Sequence, residues 1–387
     1  MPEWHIITCE YPPRMGGVAD YSYLLAGELA RRGDSVHVWY PPDSADPLPR
    51  QPGVRHHPEM GSFSPRDLRH AGALLEEFPH PRRILLQWVP HGYGRRSMNL
   101  AFCRWIAARA RKGDLLDLMI HEPFLSFSAK SWRQNLPAAL HRVMTSTLLK
   151  AANRVFISIP AWEPMLRPYA PPSLPFVWLP IPSTVPVFSD PGTSATIRAR
   201  YLGDDQSTLI GHLGTYGNLI SGILRPALQT VLTECSTANV LQLGRGSDAE
   251  AQLLSSQHPQ FAGRIHGGGR LSSRELSLHL AACDLMLQPY PDGASSRRTS
   301  LMACLSHGLP VVSTLGKLSE DLWGRSNALL LAPAASSDQL VAQTLRLLAD
   351  SHLRRQLGTR AREFYREHFD WPVVLNRLCE SPVTLGV

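Results

Sequence analysis

Residues 284–314 read DLMLQPYPDGASSRRTSLMACLSHGLPVVST, and the fold is decided here. The stretch opens on a short apolar run, Leu285 to Leu287, which ends at Pro289 and reads as a buried strand. A turn-rich loop covers residues 291–294. The next segment predicts a helix capped by Ser295 or Ser296, with Leu301, Met302 and Leu305 at helical spacing. Gly308 stops that helix, and LPVVST resumes as a strand. The helix start carries two adjacent arginines, Arg297 and Arg298. Free N–H groups at a helix start attract anions, and guanidiniums add bidentate phosphate donors. Each charged hydrogen bond contributes about 1.5–3 kcal/mol net. An isolated Arg-Arg pair is by default a solvated helix start held by nearby carboxylates. The Ser-Ser loop before it and the strand after it favour phosphate binding.

Outward from this stretch the same unit recurs. WHIITC reads as a first strand, residues 10–18 (EYPPRMGGV) as a glycine loop, residues 19–32 as a helix, and SVHVWYP as a second strand. Paired glycines, Gly16 and Gly17, let backbone amides approach a ligand closely, although a tight turn alone would also use them. RILLQWVPHGYG is a buried strand running into a loop that holds His91 between Pro90 and Gly92. Residues 98–112 predict a basic amphipathic helix, read as a crossover helix with a wet face in preference to a membrane-surface helix. LLDLMIHEP delivers His121 to the end of a strand, where open α/β sheets bind ligands. Later strands are expected at LIGHLGTYG, VLQLGRGSD, RIHGGG and ALLLAP, with Ser272 or Ser273 capping a helix ahead of Glu275 and a long helix over residues 337–369. Strands alternating with helices imply two doubly wound domains.

At 387 residues the chain is long enough for two real cores, and 43% hydrophobic with 18% charged residues is ordinary for a soluble enzyme. The N-terminus lacks a basic, then apolar, signal-peptide pattern, and no run reaches membrane-span length. Prolines cluster at residues 41–52 and 160–191. Six scattered cysteines without a CxxC pair point to reduced thiols and a cytoplasmic setting. Charge is uneven: residues 1–180 carry 21 Lys and Arg against 15 Asp and Glu, residues 181–387 carry 18 against 17. That basic first half suits an anionic membrane surface or acidic acceptor, so peripheral association with the inner membrane face is an expectation. Without an interleaved aromatic and basic module, nucleic acid is not an expected partner.

The segment YPPRMGGVADYSYLLAGELARRGDSVHVW resembles the opening of glycosyltransferase family 4, the retaining, nucleotide-sugar-dependent transferases of GT-B architecture. The likeness runs along essentially the whole chain, and the HEP tripeptide at residues 121–123 is similar to the phosphatidylinositol mannosyltransferases of that family. The resemblance implies an α/β fold of two Rossmann-like doubly wound domains facing a cleft. Residues 1–180 would form the acceptor domain, residues 181–365 the donor domain, and residues 366–387 a tail returning to the first; WLPIPSTVP would be the hinge. It implies transfer of a sugar from a nucleotide-sugar donor to a hydroxyl of a glycan, lipid-linked or small-molecule acceptor, with retained configuration. Polysaccharide biosynthesis is one such setting. His121 would orient the sugar, and Glu320 matches a glutamate near the donor.

Two family hallmarks are replaced. Thr215 stands where a phosphate-binding arginine is expected, with no lysine following in GTYGNLISG. The paired glutamates, with seven residues between them, fall at Ser295 and Ala303; Asp292 lies three positions early. No DxD triad occurs, so no cofactor or metal is expected and cations must neutralise the leaving group. Three readings follow: an active enzyme in which Arg245, Arg297 and Arg298 replace the missing cations, an inactive scaffold serving as a binding or regulatory partner, or a different activity such as sugar-nucleotide epimerisation, which no motif supports. The first is favoured. It assigns Gly16, Gly17, Arg245, Ser295, Ser296, Arg297, Arg298 and Thr299 to the donor, and Arg14, Asp20 and His91 to the acceptor.

Overall fold

A computed structural model describes residues 3–14, 16–43, 51–94, 97–204 and 206–380. Met15 of the glycine loop, part of the proline cluster at 41–52 and the end of the tail at 366–387 lie outside the described residues. The chain divides into two compact units, Met1–Pro180 with Val374–Val387, and Ile181–Val373.

The first unit runs β1 (Glu3–Ile7), α1 (Gly17–Arg31), β2 (Ser35–Trp39), β3 (Val54–His57), α2 (Pro65–Leu75), β4 (Arg83–Trp88), α3 (Leu100–Arg111), β5 (Leu115–Ile120), α4 (Trp132–Leu149), β6 (Arg154–Ile157), α5 (Trp162–Leu166) and β7 (Phe176–Trp178). Its seven strands are parallel in the order β3-β2-β1-β4-β5-β6-β7. The second unit runs α6 (Pro191–Tyr201), β8 (Thr208–Leu213), α7 (Asn218–Glu234), β9 (Ala238–Leu243), α8 (Ser247–Gln257), β10 (Ile265–Gly267), α9 (Ser273–Ala281), β11 (Leu285–Gln288), α10 (Thr299–Ser306), β12 (Val311–Leu315), α11 (Asp321–Ser326), β13 (Leu330–Pro333), α12 (Ser337–Ala349) and α13 (Ser351–His368). Its six parallel strands follow β10-β9-β8-β11-β12-β13. Helix α14 (Trp371–Glu380) closes the described chain.

Parallel strands covered on both faces are buried along their whole length and mostly apolar. Every residue of β8, β9 and β11 is accordingly buried. Gly211 in β8 shows how closely the layers meet, since a Cβ there would strike the sulfurs of Met286 and Cys283. From Val374 on, α14 belongs to the first unit, where Arg83 and Arg154 each donate a hydrogen bond to the Leu378 carbonyl, at 3.3 and 3.2 Å. Both arginines also pair with the buried Asp117. All six cysteines are free thiols, four of them buried. Among the described residues no helix is long and apolar enough to cross a membrane.

Several elements differ from the sequence reading. The long helix expected over residues 337–369 is two helices, because Asp350 leaves the helical conformation and its carboxylate caps Leu353. The cap before α9 is Ser272, closed by a capping box with Glu275. β3 was not foreseen: VRHH has one apolar residue, and its histidines are accommodated by tertiary stacking.

Candidate active site

In each sheet the chain leaves two adjacent strands in opposite directions, between β1 and β4 in the first unit and between β8 and β11 in the second. The carboxyl ends of such strand pairs form a crevice suited to ligands. In the second unit that crevice is a pocket of about 560 Å³. Thr215, Gly217, Asn218, Leu219 and Ile220 line it from the loop after β8 and the start of α7; Pro291, Asp292 and Arg298 line it from the loop after β11; Lys317 and Leu318 complete it from the loop after β12. The 17-residue α7 opens on the pocket at Asn218, so the positive end of its dipole lies at the pocket wall.

The pocket's two loops are stitched together. Leu318 N–H donates to the Asp292 carbonyl at 3.0 Å and Ala294 N–H to the Thr314 carbonyl at 2.7 Å. Gly293 has φ +92°, and a Cβ there would run into the Gly316 amide and the Ser319 hydroxyl, so glycine is required. The Asp292 carboxylate forms ion pairs with both Arg297 and Arg298. Burial pushes the Asp292 carboxyl up, and the two guanidiniums reverse this and hold it below the usual carboxylate range. The Arg298 guanidinium also lies 4.8 Å over the Tyr290 ring, and its Nε is buried with no hydrogen-bond partner among the described residues.

The sequence expectation for this loop needs correction in three places. The helix cap is Arg298, not Ser295 or Ser296, and α10 begins at Thr299. Ser295 and Ser296 are fully buried. The Ser296 amide and hydroxyl both donate to Glu320 Oε1, the amide at 2.9 Å, so they are not open to a ligand. Glu320 is correspondingly a positioning residue: its other oxygen accepts from Trp323 Nε1 at 2.6 Å, and its carboxylate fixes the loop from below. Burial raises its pKa against the opposing hydrogen bonds. Arg245 stands exposed in the loop after β9, outside the residues that line the pocket, and Thr299 is half-buried at the start of α10.

In the first unit, the glycine pair opens α1 as expected, but its anion is supplied internally. Glu10 Oε1 accepts from the amides of Val18 at 3.2 Å and Ala19 at 3.1 Å. A Cβ on Gly16 would collide with that carboxylate, whereas one on Gly17 would meet open space. Asp20 follows one half-turn later; its side chain reaches water, but the protein packed around it partly desolvates the carboxyl group, and this desolvation and then the Glu10 charge raise its pKa. The amides of Val18 and Ala19 are therefore engaged by the chain's own carboxylate, which the reading of Gly16 and Gly17 as a diphosphate site did not include. Arg14 pairs with Asp43 at 3.2 Å. His121, at the end of β5, bonds Gln87 Oε1 through Nε2 at 2.8 Å and packs edge-on against Tyr21 of α1. Burial lowers its pKa to about 3, so the ring is neutral. His91 is exposed, 3.6 Å from Glu122, in a pocket of about 540 Å³ with Phe124, Leu125 and His141.

Sequence reading missed Lys317 and Asn218. Lys317 had a signal, being the only lysine after Lys150 and directly following a strand. Its meaning depends on β12 lying beside β11, which brings two loops from separate strands to one pocket.

By sequence, no protein-family model and no curated protein matches this chain. By fold, it is similar over its whole length to solved glycosyltransferases. Sucrose-phosphate synthase from Thermosynechococcus elongatus superposes with a TM-score of 0.75 at 17% identity, covering 98% of each chain. WaaG, a glycosyltransferase involved in lipopolysaccharide biosynthesis, gives 0.66 at 16% identity, covering 99% of this chain and 100% of WaaG. Anabaena HepE in complex with UDP-glucose gives 0.66 at 16%, covering 97% and 98%. The class defined is thus the two-sheet α/β fold of GT-B glycosyltransferases.

Proposed function

We propose that this protein is a glycosyltransferase that moves a sugar from a nucleotide-sugar donor to a hydroxyl acceptor, retaining and independent of a metal ion. The carrying observation is the pocket at the carboxyl ends of β8 and β11, where Arg298, Lys317 and the start of α7 converge. Lys317 and the start of α7 supply positive potential at one crevice, and Arg298 joins them when a ligand displaces Asp292, an arrangement that suits a departing nucleoside diphosphate. Arg297 contributes through the shared Asp292 pair. In the transfer, the bond between the anomeric carbon and the diphosphate oxygen breaks, a bond to the acceptor oxygen forms, and the hydroxyl proton passes to the diphosphate.

The acceptor assignment rests on the first unit. Glu10 and Asp20 at the start of α1 are hydrogen-bond acceptors for sugar hydroxyls, and neutral His121 supports that wall without adding charge. His91 and its pocket are the second candidate for acceptor contact.

The test is a panel of UDP-, GDP- and ADP-sugars, scored for thermal stabilisation and turnover with the double variant Arg298→Ala, Lys317→Ala as comparison. Two charged hydrogen bonds lost at about 1.5–3 kcal/mol each should weaken donor binding by at least tenfold. Unchanged affinity in the double variant sinks the pocket assignment. Binding without turnover for any acceptor selects the inactive scaffold instead.

A further inference from the structure

Helix α4 is apolar on the side that should be wet. Ala138, His141, Met144, Thr145, Leu148 and Leu149 face the first unit's interior. On the opposite stripe, at i, i+4 and i+11, stand Trp132, Leu136 and Val143, exposed by 77%, 66% and 50%. Phe127 at 54% and Leu125 at 38% extend the surface from the preceding loop. That loop is fastened to α4: Arg142 Nη1 donates to the Leu125 carbonyl at 3.0 Å, and Gln134 Nε2 to the Ser126 carbonyl at 3.0 Å. A crossover helix ordinarily turns polar residues outward. Helix α3, the one read from sequence as basic and amphipathic, does so with exposed Arg104 and Arg111.

Along α4 and the loop before it the charge has one sign, with Glu122 standing at the loop's start. Residues 123–162 contain no Asp or Glu, while Lys130, Arg133, Arg142 and Lys150 stand within or beside the stripe. Arg142 lies 3.9 Å over the Phe127 ring and 4.1 Å over the Phe124 ring. Such a surface of Trp, Phe and Leu flanked by Lys and Arg has the composition of a helix lying in a membrane interface.

We propose that α4 and residues 124–127 dock this protein on an anionic lipid bilayer. From Trp132 to Val143 the apolar stripe runs about 17 Å along the 18-residue helix, a length along which a bilayer offers headgroup phosphates continuously. A second copy fits poorly, because a two-fold contact would place the same cations on themselves. The proposal uses none of the residues of the nucleotide pocket.

The experiment is flotation of the full chain with vesicles of phosphatidylcholine alone or mixed equally with phosphatidylglycerol. The expected result is binding to the mixed vesicles only, weakened by salt. Trp132→Glu with Leu136→Glu, and separately Lys130→Glu with Arg133→Glu, should each cut binding by about tenfold or more, with the unfolding transition unchanged. Absence of flotation, equal binding to neutral vesicles, or variants that bind like the parent overturns the proposal. So does a concentration-dependent dimer that the same substitutions abolish, which would assign the face to a second copy.

Discussion

Asp292 and Arg298 form an ion pair on the wall of the second unit's pocket, so the chain's own carboxylate occupies the cation that a phosphate would use. Asp292 serves Arg297 in the same way. The twin arginines are thus neutralised at rest and not simply exposed, and under the proposed function an incoming diphosphate would compete with an internal anion.

Replacing Asp292 by Ala removes that competitor. Nucleoside diphosphate affinity is expected to rise, by roughly tenfold, because one negative charge leaves a partly buried site. Stability is expected to fall by about 1–3 kcal/mol, since two guanidiniums lose their acceptor. Titration calorimetry with UDP and urea unfolding read the two effects separately. Weaker binding in the variant would mean that Asp292 orders the arginines for the ligand.

Glu320→Ala should loosen the same loop from behind. It strips the acceptor from the Ser296 amide and hydroxyl and from Trp323 Nε1, all in buried surroundings. Each orphaned donor costs about 1–3 kcal/mol. A lower urea midpoint together with faster amide exchange at Ser296 is the expected outcome; unchanged exchange would contradict it.

The first unit carries an acid-sensitive cluster at the β1–β2–β3 edge. His5 stacks on His37, and His37 lies 2.9 Å from His57, which stacks on Trp39. Burial, reinforced by their mutual repulsion and by Arg55 and Arg82, lowers His5 to about 3 and His37 and His57 to about 4. Glu3 stands 3.1 Å from His37 Nε2 and Glu59 4.0 Å from His57 Nδ1. Because the unfolded chain binds these protons near pH 6.5 and the folded one does not, stability is full above that value and falls as pH drops toward 4. Urea unfolding at about pH 7 and about pH 5 should show the loss, and His57→Phe should flatten it.

Arg154→Met tests how α14 is held. The substitution removes an ion pair to buried Asp117 and a hydrogen bond to the Leu378 carbonyl. Arg83 keeps its own pair with Asp117, so the loss should sit at the low end for a broken buried pair, about 3 kcal/mol. Limited proteolysis should then cut within α14 before the rest of the chain.

Much of the fold was written in local pattern. Apolar runs such as LLQW and LMLQ, glycine or serine punctuation, and amphipathic helices gave the alternating order of both units. The candidate site was less readable. Arg297 and Arg298 are visible as a pair, but their partner lies five and six residues earlier and looks like an ordinary turn aspartate. The glycine pair is equally visible, yet the carboxylate that fills its helix start comes from Glu10, across the loop.

The sequence by itself determined the α/β class, because period and punctuation act over a few neighbouring residues and need no partner. Only the tertiary structure decided which charges are free. That Lys317 joins Arg298, that Ser296 is spent on Glu320, and that α4 turns Trp132 and Leu136 outward all depend on which strands and loops become neighbours. Burial and pairing are properties of those neighbours, and a side chain's type does not carry them.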